Sequence, residues 1–241
     1  MSYDPLALAI DVDRATAQLL TTVGRLTDAE VAGASRLPAW SRGHVLAHIA
    51  RNAESQINLL TWARTGVETP QYPNAQARVD GIEAGAERPQ AQQLVDVTET
   101  ANRLAAYAAD MPADAWLRTV RWTSGAEAPA ARVMWSRLRE VEIHHVDLDA
   151  GYAPVHWPDA FTLRLLRGTV REFGDRADVP AMLLRCPEVG HDLEIRGGGG
   201  DGEPCVVSGP AWAAAAWLIG RHDGTALTAA PPPLPTVPAW A

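Results

Sequence analysis

The chain has 241 residues, of which 47% are hydrophobic and 21% are charged, and this is the ordinary composition of a soluble globular protein. Its formal net charge of −8 argues against a nucleic-acid-binding protein, because such proteins usually present a basic surface. All 21 basic residues are arginines, which excludes catalysis through a lysine Schiff base.

Four long helices are predicted in the first 150 residues. Apolar residues at helical spacing place them at 5–25, from Ser41 (the N-cap) to the mid-60s, at about 89–110, and from near Pro129 to about Ala150. The segments 66–88 and 111–128 are predicted as long connections, which are often functional. Four long helices joined in this way indicate a bundle.

The pattern changes after Gly151. A helix is predicted at 158–174, short strands at 182–186, 192–196 and 205–208, a second helix at about 210–221, and an extended proline-rich tail at 231–238. The glycine-rich stretch 197–202 is predicted as a turn, since it lacks the Lys-Ser/Thr of a phosphate-binding loop. The predicted fold class is α+β, with a helical domain over 1–152 and a small α/β domain over 153–241.

The cysteines and the amino-terminal residues are informative about the cellular location of the protein. Cys186 and Cys205 form no CxxC motif and have apolar neighbours, so we expect reduced thiols with no nucleophilic role. The first residues show no signal peptide, and no stretch reaches 18 consecutive apolar residues. We therefore expect a cytoplasmic protein, a monomer by default, with neither a membrane nor a nucleic acid as partner.

Glu140 and His144 are the most informative pair in the sequence. Residues four apart on a helix lie on one face, one turn apart, so a carboxylate and an imidazole so placed can bind one metal ion together. A third ligand could come from His44 or His48, and spacing does not choose between them. One glutamate with two histidines is a set used by catalytic zinc, which keeps a fourth position open.

Other interpretations of these residues stay open at this point. Glu140 could be a solvated glutamate beside a core histidine. Asp147 could support His144 from behind, or it could be no more than a polar residue at a helix end. His145 points about 100° away from its neighbour and is a poorer candidate for the same ion.

Two segments resemble a known family. WSRGHVLAHIARN (residues 40–52) and REVEIHHVDL (residues 139–148) are similar to the signature segments of the mycothiol-dependent maleylpyruvate isomerase family, in the DinB-like group of metal-dependent thiol transferases. The resemblance implies a DinB-like four-helix bundle followed by a small α/β domain. It also implies that His48, Glu140 and His144 bind zinc or another divalent metal.

The resemblance further implies a reaction. A mycothiol thiolate would add to the cis double bond of maleylpyruvate, which then becomes a single bond and can rotate. Elimination of the thiolate would give the trans isomer, fumarylpyruvate. Arg78 and Arg221 would be catalytic residues, although either could equally be a surface arginine, and Arg221 ends an apolar helix where a cation is favoured. The alternatives are a mycothiol S-transferase acting on another electrophile and a non-catalytic metal-binding module. The expected partners are a small thiol and a small anionic or electrophilic substrate.

Overall fold

Helices and short strands occur in separate parts of the chain, within the residues that the computed structural model describes (4–174, 176–198 and 203–240). The helices are α1 Pro5–Val23, α2 Asp28–Ala32, α3 Arg42–Thr65, α4 Ala75–Ala86, α5 Gln90–Ala109, α6 Arg132–Asp147, α7 Asp159–Phe173 and α8 Ala211–Leu218. The strands are β1 Thr119–Arg121, β2 Glu127–Pro129, β3 Met182–Arg185, β4 Leu193–Ile195, β5 Cys205–Ser208 and β6 Thr228–Ala230. The predicted α+β class is confirmed.

The chain divides into two compact units, Met1–Tyr152 and Ala153–Ala241. In the first unit α1, α3, α5 and α6 form a four-helix bundle: α3 packs on α5 and α6, and α1 packs on the same two helices. The core is apolar, with Leu19, Leu60 and Val141 all fully buried. Burial of such side chains is the main force that holds amphipathic helices together.

The start of α3 is fixed by a reciprocal hydrogen-bond pair. The Ser41 hydroxyl accepts from the backbone N–H of His44 at 3.3 Å, and His44 Nδ1 accepts from the backbone N–H of Ser41 at 3.2 Å. Such a capping box satisfies two amide groups that have no partner inside the helix. Gly66, in the left-handed conformation with φ of 76°, ends the helix. These signals explain why the predicted limits of α3 agree with the structure.

The predicted long connections contain structure that the apolar pattern did not reveal. Within 66–88 lies α4, which is capped by Asn74, whose side chain accepts from the Ala77 N–H at 2.8 Å. Only three residues of α4 are buried, two of which are alanine and glycine, so the helix gives almost no apolar periodicity. Within 111–128, β1 and β2 form an antiparallel pair. The sequence analysis also missed α2, a helix of five residues.

The second unit contains a four-stranded sheet in the order β4-β3-β5-β6, and α7 packs on α8 and on β4. β3 and β5 are parallel and the other pairs are antiparallel. Gly197 and Gly198 form a turn, as predicted, while 199–202 of that stretch lie outside the described residues. The sequence analysis missed β6, and residues 231–240 after it carry neither helix nor strand. None of the described helices combines the length and hydropathy needed to cross a bilayer.

Gly43 provides a test of the packing between α3 and α4. A Cβ added at Gly43 would collide with the Ala86 carbonyl oxygen, whereas a Cβ added at Gly81 would make only ordinary contacts, 3.5 Å from the Arg51 side chain. We expect Gly43→Ala to lower the free energy of unfolding by about 1–3 kcal/mol. The matched change Gly81→Ala should raise it by about 0.5–1 kcal/mol, because alanine favours a helix interior. Urea denaturation measures both, and equal effects would contradict this packing.

Candidate metal centre

Three potential ligand atoms converge between α3 and α6. His48 Nε2 lies 2.9 Å from Glu140 Oε2 and 3.1 Å from His144 Nε2, and the last two atoms are 3.3 Å apart. With zinc–nitrogen distances of about 2.0–2.1 Å, the ligand atoms of a zinc tetrahedron lie about 3.3 Å from one another. The three side chains, called the ligand group below, therefore fit a metal ion both in donor type and in spacing.

Glu140 is the most exposed member of the ligand group. The side chain of His48 is 6% exposed and that of His144 is 15% exposed, while Glu140 is 28% exposed. The centre of the Trp40 ring lies 5.6 Å from that of the His48 ring, with the two planes tilted by 59°. The two histidines are therefore more deeply buried than the glutamate.

Burial and hydrogen bonding together set the protonation of the ligand group. Burial lowers the pKa of His48, and its hydrogen bond to Glu140 offsets this only in part. Burial alone would lower the pKa of His144, but the hydrogen bonds to Asp147 and Glu140 outweigh it and raise the pKa to about 9. Burial would raise the pKa of Glu140, yet hydrogen bonds from His144 and His48 hold it well below the usual range. Glu140 and His48 therefore already have the forms that bind metal, and a metal must displace one proton from His144.

Asp147 supports His144 from the side away from the other ligands. His144 Nδ1 donates to Asp147 Oδ2 at 2.9 Å, and the Asp147 side chain is only 1% exposed. A carboxylate in this position fixes the orientation of the imidazole and leaves Nε2 directed at the metal position. Of the two interpretations that the sequence left open for Asp147, the geometry favours support of the histidine.

The two neighbouring histidines are engaged elsewhere. His44 Nδ1 belongs to the capping box described above, and its Nε2 lies 3.4 Å from Glu83 Oε2. His145 Nε2 is hydrogen-bonded to the Thr22 hydroxyl at 2.8 Å, and its ring stacks on Tyr152 at 3.8 Å. Both histidines therefore make contacts outside the ligand group. Of the two candidates on α3, His44 and His48, it is His48 that belongs to the ligand group.

Arg78 lies beside the ligand group and Arg221 lies in the other unit. Arg78, on α4, places Nη2 3.5 Å from His48 Nδ1. Arg221 follows α8, and its Nη1 donates to the Ile219 carbonyl at 3.0 Å. The structure thus brings Arg78 to the ligand group, and the catalytic role of both arginines stays a prediction.

The sequence analysis missed Tyr72, which lies in the connection before α4. Burial raises the pKa of its hydroxyl, and the neighbouring Ser55 and Arg78 offset that rise only in part. The sequence places it in the predicted long connection 66–88, between Pro70 and Pro73. A tyrosine between two prolines in a long connection was the available signal, since rigid connections often carry functional side chains.

The sequence and the fold both match one protein family. The family model described as the mycothiol maleylpyruvate isomerase N-terminal domain matches residues 12–149, which is more than half of the chain. The chain belongs to the mycothiol maleylpyruvate isomerase family. The matched segment spans nearly all of the helical bundle and includes the whole ligand group.

Solved structures extend the isomerase-family likeness to the second unit. A crystal structure of the mycothiol-dependent maleylpyruvate isomerase has a TM-score of 0.89 and 25% sequence identity, covering 100% of both chains. A histidine-to-alanine mutant of that enzyme gives a TM-score of 0.90 with the same identity and coverage. No curated protein sequence matches the chain. The isomerase family is thus a family of enzymes, and this member shares the fold over its full length.

Asp147 can be tested by removing its charge while keeping its shape. We expect Asp147→Asn to weaken the binding of zinc or cobalt by about 10–100-fold, because the supporting carboxylate no longer polarises His144. Asp149→Asn is the matched control: its carboxylate is 54% exposed and pairs with Arg36 at 3.0 Å. Competition titration with a chelating dye measures both affinities. Equal affinities of Asp147→Asn and wild type would contradict this role.

Proposed function

We propose that the protein catalyses the mycothiol-dependent isomerisation of maleylpyruvate to fumarylpyruvate, with zinc or a similar divalent metal on His48, Glu140 and His144. The observation that carries this proposal is the convergence of the three ligand atoms between two helices of an isomerase-family bundle. The solved isomerase structures, which match over the whole chain, support the same activity.

The metal and mycothiol would supply the reactive groups. Bound zinc would favour the thiolate form of a coordinated thiol near neutral pH. Mycothiol would supply the sulfur that adds to the cis double bond and makes it a single bond. Rotation about that bond would come next, and departure of the sulfur would then restore the double bond in the trans form. The protein side chains would hold the metal and mycothiol in place, position the substrate and exclude water.

The protein's own charges prepare the ligand group for this task. Asp147 keeps a proton on His144 Nδ1 and so leaves Nε2 available as a ligand. Glu140 is held ionised by its two histidine neighbours, and its charge offsets part of that of a divalent ion. The remaining positive charge is what an anionic thiolate needs in a protein whose net charge is −8.

Arg78 is a cation beside the ligand group that can bind a substrate carboxylate. Its Nη2 lies 3.5 Å from His48 Nδ1, which can accept a hydrogen bond from it. A neutral imidazole that gives Nε2 to a metal carries its proton on Nδ1, so it no longer accepts from Arg78. The guanidinium is then available for a carboxylate, whose geometry it matches through two parallel N–H groups.

A coupled assay tests the proposed reaction. Zinc-loaded protein should convert maleylpyruvate to fumarylpyruvate only when mycothiol is present. We expect His48→Ala to lower kcat/KM by more than about 100-fold, beyond the usual loss from a residue that merely supports a ligand. His44→Ala is the matched control, since His44 caps α3 and lies outside the ligand group.

His44→Ala should lose about 1 kcal/mol of stability and keep most of the activity. Absence of conversion in protein shown to contain zinc would sink the isomerase proposal. Formation of a stable mycothiol conjugate, with no fumarylpyruvate, would instead identify an S-transferase.

Arg78 has a separate expected effect. Arg78→Ala should raise KM for maleylpyruvate by about 10–100-fold, as expected for the loss of a charge-assisted hydrogen bond of about 1.5–3 kcal/mol. Arg103→Ala is the control, because that arginine is 58% exposed and pairs with Glu54 on the bundle surface. Steady-state kinetics at saturating mycothiol measures both variants. An unchanged KM in Arg78→Ala would show that the substrate carboxylates bind elsewhere.

A further inference from the structure

The buried face of α3 stays polar below the ligand group. His48, Asn52, Ser55 and Gln56 are at most 5% exposed, and their spacing of four, three and one residues puts them on one face. The same level of a four-helix bundle is ordinarily filled with apolar side chains. A polar stripe inside an otherwise apolar core costs free energy unless its groups are paired.

Arg137 lies opposite this stripe on α6, three residues before Glu140. It is 0% exposed. Its Nη1 donates to the Ile49 carbonyl at 2.7 Å and to Asn52 Oδ1 at 2.9 Å. Ile49 directly follows His48. The Arg137 side chain on α6 is therefore hydrogen-bonded to the α3 backbone at the residue next to a ligand.

This arrangement is costly for stability alone. Within the described part of the chain, no protein group is a hydrogen-bond partner of the buried Arg137 Nε and Nη2, and no carboxylate lies within ion-pair distance of the guanidinium. Burial lowers the pKa of Arg137 to about 10, while the negative charge of Glu140 acts in the opposite direction. Well-packed apolar residues commonly replace buried charges without loss of stability. The guanidinium is therefore better explained by what it does for the neighbouring ligand group.

We infer that Arg137 is a positioning residue, which holds α3 and α6 at the separation that closes the ligand group. This inference rests on the metal site of the proposed function. One ligand lies on α3 and two lie on α6, so the 2.9–3.3 Å triangle exists only while the two helices keep their distance and register. Misplacement of a ligand by about 1 Å is enough to spoil a metal site.

Cobalt binding tests this role without reference to isomerase activity. Arg137→Met keeps the bulk and loses the charge and both hydrogen bonds. We expect it to raise the cobalt Kd by about 10–100-fold and to weaken the visible absorption of tetrahedral cobalt. Arg137→Lys keeps the charge and one donor nitrogen, so it should give an intermediate Kd. Leu104→Ala, a change at a core position 1% exposed, controls for lost stability and should leave Kd and spectrum unchanged.

The outcomes separate this role from the metal site itself. Wild-type affinity and spectrum in Arg137→Met would overturn the positioning role, and so would an equal loss in Leu104→Ala. If Arg137→Met does not fold, Arg137→Lys decides: a Kd and spectrum equal to wild type would overturn the role. Wild-type protein that binds no cobalt would overturn the metal site, and with it both this inference and the proposed mechanism.

Discussion

The packing of α3 against α6 is the constraint on which the rest of the structure depends. A single helix face supplies Glu140 and His144, and the second helix must bring His48 to within hydrogen-bond distance of both. The bundle core provides the energy for this approach, since core residues such as Leu19, Leu60 and Val141 are apolar and fully buried. Asp147 and Arg137 then fix details that apolar packing leaves free, namely the orientation of one imidazole and the register of two helices.

The charges near the ligand group include cations, although the protein as a whole is negatively charged. The surface is acidic, while the environment of the ligand group contains two buried or half-buried arginines, Arg78 and Arg137. An anion that approaches meets an unfavourable net charge at long range and two arginines close to the ligand group. Because salt screens the long-range field within about 10 Å, the local arginines dominate binding at physiological ionic strength.

Helix periodicity was enough to predict the bundle and the pairing of Glu140 with His144, because both depend on spacing within one helix. Residue spacing could not decide between His44 and His48, because residues four apart lie on the same helix face. The relevant signal was Ser41, three residues before His44, which marks a capping box. By contrast, α4 carries little apolar pattern, and Arg137 has a residue type that sequence reasoning assigns to the surface. Their positions follow from contacts between helices, which one sequence does not show.

The close approach at Gly43 divides the neighbourhood of the ligand group into two parts that can change independently. The ligand group belongs to α3 and α6, whereas Arg78 belongs to α4, which lies on α3 where a glycine leaves room for its backbone. Substitutions on the face of α4 that carries Arg78 would therefore alter the surroundings of the ligand group while its three residues stay in place. A bundle built in this way lets related sequences vary the side chains beside one unchanged set of ligand residues.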